Sequence, residues 1–151
     1  MLYKDRLINL RGEKNLKQKE LAKLIEVDRS VYGRYENEYQ IMPIKHLDTI
    51  CNYFDVSLDY IFNFTNNYKY ELSKEINKNI MANRLKEFRK ENKITQNKLS
   101  ELLKTSQSTI ADYERGKNYL PTPFLYTISK KYGISADYLL GKIDEPKYLT
   151  K

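Results

Sequence analysis

The chain repeats itself with a shift of 78 residues, so that residues 3–63 align with residues 81–141 without a gap. Identical pairs recur along the whole alignment, among them Arg6/Arg84, Arg11/Arg89, Gln18/Gln96, Tyr35/Tyr113, Glu36/Glu114 and Asp59/Asp137. The period exceeds the roughly 20–50 residues of a solenoid unit and equals a small domain that can carry its own core. The repeat therefore predicts two domains, copy one (residues 1–64) and copy two (residues 81–145), with a linker (65–80) and a tail (146–151).

The positive charge of the chain is placed unevenly. The net charge is +7, which is typical of a protein with a polyanionic partner. Residues 1–64 contain 10 basic and 10 acidic side chains, whereas residues 81–151 contain 14 basic and 8 acidic ones. The excess charge, and with it the expected polyanion binding, falls mainly on copy two.

Several function classes are excluded by what the sequence lacks. One cysteine and one histidine exclude an internal disulfide, a cysteine-based zinc site and a multi-histidine metal site. The sequence contains no nucleophile–His–acid set and no glycine-rich phosphate loop, so we expect no enzyme, no metal and no cofactor. It has no apolar run near the ~20 residues of a membrane helix and no apolar signal core, so we expect a cytoplasmic protein without a membrane partner.

The apolar residues of copy two follow helical spacing in segments bounded by capping and stop residues. Thr95, Ser106 and Ser135 are good N-caps, and Gly116, Gly133 and Gly141 are good helix stops. The first predicted helix includes residues 84–90 and ends near residues 92–93, and the others cover residues 96–103, 107–115, 124–132 and 136–140. Because no segment shows sustained period-two alternation, we expect an all-α fold.

Copy one repeats this pattern. Its second and third helices are predicted at residues 18–25 and 29–37, joined by a turn at residues 26–28, and Asp28 takes the N-cap place of Ser106. Two helices joined by so short a turn form a helix-turn-helix. Neither turn has a glycine, but a non-glycine residue in the left-handed conformation, here Glu26 or Lys104, costs only about 1 kcal/mol.

Two runs in copy two are similar to a known family. The residues Thr95-Gln96-x-x-Leu99-Ser100-x-Leu102, Ser106-Gln107-Ser108-Thr109-Ile110 and Tyr113-Glu114-Arg115-Gly116-Lys117 closely resemble the Cro/XRE (lambda-repressor-like) family, as does the run from Tyr132 to Gly141. The resemblance extends to both copies. It implies two tandem five-helix helix-turn-helix domains. Copy one departs from the pattern at Lys17, where a hydroxyl cap is usual, and in the turn after its third helix.

In this architecture the third helix lies in the major groove and presents its first residues to base edges. Helical spacing turns Tyr32, Tyr35, Ile110 and Tyr113 inward. The candidate base-reading residues are then Arg29, Ser30 and Arg34 in copy one, with Val31, and Gln107, Ser108 and Thr109 in copy two. Arginine suits guanine and glutamine suits adenine. Asp112 has two open interpretations: it accepts a hydrogen bond from cytosine, or it is a solvated helix residue.

The resemblance also suggests contacts with DNA phosphates. Gln18 and Gln96 begin the second helices, where backbone N–H groups favour an anion. Arg115 and Lys117 would clamp the DNA backbone in copy two. Copy one has Asn37 and Tyr39 in those places, with Glu38 between them, which would repel a phosphate. Arg11 and Arg89 are either phosphate ligands or ion-pair partners of Glu36 and Glu114, and the ion pair is the better expectation.

The segment between the copies contains apolar residues every four positions, Leu72, Ile76 and Ile80, with charged residues between them. This spacing predicts an amphipathic linker helix that begins near residues 70–71 and runs toward the first helix of copy two. Such a helix would either pack the copies together or form the seam of a homodimer.

Two functions remain open. In the first, the chain is a sequence-specific double-stranded DNA-binding regulator, a repressor acting by promoter occupancy, in which both copies read DNA. In the second, copy one is a protein-interaction or dimerisation module, antitoxin-like or anti-repressor-like, and only copy two binds DNA. The neutral charge and altered turn of copy one favour the second function, whereas Arg29 and Arg34 favour the first.

Overall fold

The computed structural model describes residues 1–149, so the last two residues of the predicted tail (146–151) lie outside the described residues. Within residues 1–149 the chain forms ten helices, no strand, and one isolated antiparallel bridge between Ile134 and Tyr148. The expected all-α fold is confirmed. The helices are α1 (Lys4–Glu13), α2 (Gln18–Leu24), α3 (Arg29–Glu36), α4 (Ile44–Phe54), α5 (Leu58–Ile61), α6 (Lys78–Glu91), α7 (Gln96–Leu103), α8 (Gln107–Glu114), α9 (Thr122–Tyr132) and α10 (Ala136–Leu139).

The chain divides into two compact units. The first contains Met1–Glu71 and Pro121–Tyr126, and the second contains Leu72–Leu120 and the residues from Thr127 onward. The core of the first unit includes Leu7, Leu21, Tyr32, Leu47, Ile50 and Leu58, all at most 1% exposed. The second unit buries Leu85, Phe88, Leu99, Ile110, Ile128 and Leu139 completely. Each unit therefore has a core of its own, as the length of the repeat requires.

Residues Pro121–Tyr126 are packed into the first unit through polar and aromatic contacts. The Thr122 hydroxyl is buried and donates to the Met42 carbonyl at 2.7 Å. The ring centroid of Tyr126 lies 5.6 Å from that of Phe62 and 5.2 Å from that of Phe64. These separations are typical of stabilising aromatic pairs.

An arginine near the start of each unit ties the first helix to the end of the fold. Arg6 donates from Nη1 to the carbonyls of Tyr60 and Thr65, and its guanidinium lies 4.1 Å from the centroid of the Tyr60 ring. Arg84 makes the same bonds to Tyr138 and Ile143 and lies 4.0 Å from the Tyr138 ring. The structural repeat therefore continues past residue 63, into the segment that the sequence assigned to the linker.

The predicted linker helix is wrong: residues 65–77 are not helical, and α6 begins only at Lys78. The backbone N–H groups of this segment have other acceptors, because Lys74 donates to the Lys142 carbonyl and Asn77 to the Leu140 carbonyl. The Asn77 side chain caps α6 by accepting from the Ile80 N–H. Leu72, the first residue of the expected stripe, is 85% exposed.

The predicted caps and turns of the helix-turn-helix elements are mostly confirmed. Thr95, Ser106 and Ser135 each accept a hydrogen bond from the backbone N–H three residues later. Asp28 occupies the N-cap position of α3, but its side chain makes no capping bond. Glu26 and Lys104 adopt the left-handed conformation, with φ of 58° and 56°.

Candidate DNA-recognition surfaces

The third helices of the two copies, α3 and α8, bury residues at the same positions and expose different side chains. Tyr32 and Tyr35 are buried in α3, as are Ile110 and Tyr113 in α8, which confirms the predicted inward faces. The candidate base-reading residues lie on the remaining surface. Arg29, Ser30, Arg34, Gln107 and Ser108 are exposed, whereas Val31, Thr109 and Asp112 are half-buried.

A buried carboxylate at the end of each third helix joins three helices. Glu36 of α3 accepts from Arg11 of α1 at 2.7 and 3.2 Å and from the Gln18 amide of α2 at 2.7 Å. The Tyr32 hydroxyl adds a fourth bond, at 3.1 Å. Because these bonds span α1, α2 and α3, they fix the orientation of the recognition helix against its neighbours.

Copy two repeats this arrangement with one bond fewer. Glu114 accepts from Arg89 at 2.7 and 3.1 Å and from the Gln96 amide at 3.2 Å. Ile110 stands at the position of Tyr32 and cannot donate. The ion-pair interpretation of Arg11 and Arg89 is thus the one that the structure shows.

The ion pairs shift the pKa values of the groups around them. The hydrogen bond to Glu36 raises the pKa of Arg11, and the bond to Glu114 raises the pKa of Arg89. Burial, reinforced by the charge of Glu36, raises the pKa of Tyr32 well above its ordinary value. All three groups therefore keep their protons at neutral pH and can donate to the carboxylates.

Gln18 has a second neighbour on the outward side of copy one. Its Oε1 accepts from Arg29 Nη1 at 3.4 Å, a long bond, while its Nε2 donates inward to Glu36. A Cβ at Gly33 would meet that Oε1 at 3.3 Å, so the glycine leaves room for the amide. Copy two has Ala111 at this place. The predicted phosphate contacts Gln18 and Gln96 therefore have their side-chain nitrogens turned to the buried carboxylates.

The turn after α8 holds its two cations against a carboxylate of the helix. Arg115 Nη2 donates to Asp112 Oδ1, and Lys117 Nζ lies 3.5 Å from the same oxygen. Both cationic side chains are 59% exposed. Asp112 thus pairs with the two residues predicted to clamp DNA, and its contact with cytosine stays a prediction.

The turn after α3 is organised differently. Glu38, at the position of Gly116, accepts from the backbone N–H groups of Leu2, Tyr3 and Lys4 at 2.9–3.0 Å and so caps the N-terminus of α1. The expectation that Glu38 only repels phosphate missed this role, and no local sequence signal reveals it because the partners are 34–36 residues apart. Tyr39 stands at the position of Lys117 and is 81% exposed.

The described part of the chain has neither a membrane-spanning helix nor a metal-binding cluster. Among residues 1–149, no helix is long and apolar enough to cross a membrane. The same residues contain no group of three or more acidic, histidine or cysteine side chains arranged to hold a metal ion.

Two family models match the chain, one in each copy. A model described as "Helix-turn-helix" matches residues 7–61, and one described as "Helix-turn-helix domain" matches residues 82–145. These matches agree with the tandem helix-turn-helix fold, and neither family is one of enzymes.

Two curated proteins of Bacillus subtilis (strain 168) are similar to the chain. It is 38% identical over 64 residues to the uncharacterized HTH-type transcriptional regulator YobD, covering 42% of this chain and 57% of that protein. It is 36% identical over 67 residues to the HTH-type transcriptional regulator ImmR, covering 44% and 53%. The aligned part thus spans only about half the length of these relatives. No solved structure matches the chain.

Proposed function

The chain belongs to the Cro/XRE (lambda-repressor-like) helix-turn-helix family, and from this premise we propose that it binds double-stranded DNA at specific sequences and regulates transcription. The recognition helices α3 and α8 would enter the major groove with their N-terminal residues at base edges. A promoter occupied in this way is blocked without any chemical step, so the regulator acts as a repressor. Its place of action is the cytoplasmic nucleoid.

The proposal is supported chiefly by the contrast between the inward and outward faces of the recognition helices. Inward, both helices carry the same carboxylate, held by an arginine and a glutamine. Outward, α3 exposes Arg29 and Arg34, whereas α8 exposes Gln107 and Ser108. Arginine pairs with guanine and glutamine with adenine in bidentate geometry, so the two copies would read different bases.

The phosphate contacts would come from around these helices. Arg115 and Lys117 follow α8 directly, and their side chains are exposed. Gln18 and Gln96 begin α2 and α7, and the backbone N–H groups of those first turns are the donors we assign to phosphate. Copy one has no cation at the positions of Arg115 and Lys117.

The test is selection of bound duplexes from a random pool with the full chain, repeated with the double variant Arg29→Ala/Arg34→Ala. The wild-type protein is expected to select a site with two unlike elements. The variant should lose the preference for guanine in one element, because each bidentate contact supplies about 1–3 kcal/mol of discrimination. The preference in the other element should remain.

The double variant Lys14→Ala/Lys23→Ala is the matched control, since it removes the same charge from exposed positions of copy one outside α3. It is expected to weaken binding at most and to leave the selected sequence unchanged. If Arg29→Ala/Arg34→Ala also leaves that sequence unchanged, α3 does not read bases. If the wild-type chain selects no sequence, the proposed function itself is wrong.

A second function has specific observations in its favour. Copy one has no net charge. In the turn after α3, Glu38 bonds to the backbone at the start of α1, and Tyr39 is exposed where copy two has a lysine. In this alternative copy one contacts a protein partner or a second copy of the chain, and copy two alone binds DNA.

Salt dependence distinguishes the two functions in the full chain. Each neutralised phosphate contributes about −0.9 to the slope of log K against log salt on B-DNA. If only copy two binds, Arg115→Gln/Lys117→Gln should flatten the slope, whereas Arg29→Ala/Arg34→Ala should change neither slope nor affinity. Sedimentation of the complex then tells whether one chain or a homodimer occupies the site.

A further inference from the structure

The carboxylate of Asp112 pairs with Arg115 and Lys117, the two cations proposed to contact the DNA backbone. Its Oδ1 accepts from Arg115 Nη2 and lies 3.5 Å from Lys117 Nζ, so one oxygen serves both side chains. Asp112 lies in the second turn of α8, four residues after Ser108 and so on the same face of the helix, and its side chain is 36% exposed. The ion pairs of Asp112 thus lie beside one of the residues proposed to read bases.

A carboxylate and a phosphate accept hydrogen bonds from the same cationic donors. An arginine fork binds either anion through parallel N–H bonds, and a lysine binds either as a point charge. Arg115 and Lys117 can be fully available to a DNA phosphate only after Asp112 gives them up. The released carboxylate then stands next to the DNA backbone, where it takes up a cation from solution. Both effects oppose binding on any sequence.

We propose that Asp112 is an intramolecular competitor of the DNA backbone, which lowers the affinity of copy two for duplex of arbitrary sequence. The inference rests on the proposed function, because it needs Arg115 and Lys117 to contact phosphate. The competition would increase the discrimination of copy two between its specific site and other DNA sequences. Phosphate contacts give affinity without sequence information, so weakening them leaves a larger share of the binding free energy to the base contacts of α8.

Copy one lacks every part of this device. Arg34 stands at the position of Asp112, and Asn37 and Tyr39 replace the two cations. The acidic residue of that turn, Glu38, bonds to the backbone N–H groups that begin α1. The competitor is therefore a property of copy two alone.

The experiment measures the binding of full-length variants to a duplex of arbitrary sequence over a series of salt concentrations. Asp112→Asn is expected to bind about 1.4- to fivefold more tightly than the wild-type chain, the range set by an exposed ion pair. Its salt slope should be steeper by up to about one ion, because no carboxylate takes up a cation on binding. Glu87→Gln is the matched control: it makes the same charge change at an exposed position of α6.

A second comparison isolates the competition. In the background Arg115→Gln/Lys117→Gln, the further change Asp112→Asn should bring a clearly smaller gain, because only the repulsion between the carboxylate and the DNA backbone is left to remove. A gain as large in this background as in the wild-type chain, or an Asp112→Asn variant that behaves like Glu87→Gln, overturns the inference.

Other outcomes are equally decisive. If Asp112→Asn weakens binding to the selected site and changes one preferred base pair, Asp112 reads cytosine, and the inference is wrong. If the wild-type chain binds no duplex at any salt concentration, the proposed function fails. The inference can thus fail alone while the wild-type chain still binds.

Discussion

Arg11 and Arg89 make the same bonds, but their removal would leave their glutamate partners with different numbers of hydrogen bonds. Besides pairing with its glutamate, Arg11 donates to the Leu16 carbonyl at 2.9 Å, and Arg89 donates to the Ile94 carbonyl at 3.0 Å. After Arg11→Ala, Glu36 would keep the bonds from Gln18 and Tyr32. After Arg89→Ala, Glu114 would keep only the bond from Gln96, at 3.2 Å.

The difference in stability follows from these counts. Removing one partner of a buried ion pair costs about 3–5 kcal/mol, because the other charge stays buried. The arginine side chains here are 22% and 13% exposed, so water reaches both pairs and the lower end of that range applies. A hydrogen bond to a charged group offsets about 1.5–3 kcal/mol. We expect Arg89→Ala to cost about 3 kcal/mol and Arg11→Ala about 1.5 kcal/mol less, the lower end of the range for one such bond.

Native-state hydrogen exchange measures this difference unit by unit. A global melting curve would mix the two units, whereas the amides of α3 and α8 report the opening free energy of each. Tyr32→Phe is the matched background, since it removes only the fourth bond to Glu36. In that background Arg11→Ala should cost as much as Arg89→Ala costs in the wild-type chain. Equal costs in the wild-type chain, or a difference that survives Tyr32→Phe, would refute the reasoning.

Two further predictions concern the start of α1. The Tyr3 hydroxyl is buried, donating to the Tyr35 carbonyl and accepting from the Met42 N–H, and burial raises its pKa to about 12. Its stabilising effect is therefore present below pH ~10 and lost as the pH rises from ~10 toward 12, about 2.7 kcal/mol in all. Denaturant titrations from pH 9 to 12 should show a smaller loss for Tyr3→Phe, and an equal loss would contradict the assignment. Separately, Glu38→Ala should lower the protection of α1 amides by about 1–2 kcal/mol, the worth of a capping group. Glu38→Gly should cost about 1 kcal/mol less, because Glu38 has a φ of 60°. Equal exchange in all three proteins would show that the cap contributes nothing.

The parts of the fold that depend on neighbours in the sequence were predictable. Thr95, Ser106 and Ser135 cap helices because their hydroxyls bond to N–H groups three residues away, a relation that the sequence contains directly. The bounds of α7 were predicted to the residue, and α8 and α10 each end one residue earlier than expected. The ion pairs of Arg11 and Arg89 were also expected, since the repeat brings the same two residue types together twice.

The parts that depend on distant backbone groups were not predictable. Leu72, Ile76 and Ile80 have helical spacing. The backbone of this segment nevertheless bonds to carbonyls far away in the sequence, and the sequence alone does not show that these carbonyls lie nearby. The N–H groups of Lys74 and Asn77 bond to residues 142 and 140, respectively, so the segment stays non-helical until Asn77 caps α6. The Glu38 cap was missed for the same reason. The candidate base-reading residues remain a prediction.

A shared framework with unshared surfaces explains why the repeat constrains the fold more than the function. The half-buried arginines of the framework are each fixed by several partners at once: Arg84 bonds to two carbonyls and a carboxylate, as Arg6 bonds to two carbonyls and an amide oxygen. On the outward faces of α3 and α8, Arg34 and Asp112 bond to side chains of the turns that follow, not to the framework of the core, so they can occupy equivalent positions without altering the helices beneath them. The equivalence of two positions therefore does not imply the same contact with DNA. At this pair of positions the side chains have opposite charges. Asp112 pairs with the cations of the following turn, whereas an arginine there would add a further positive charge.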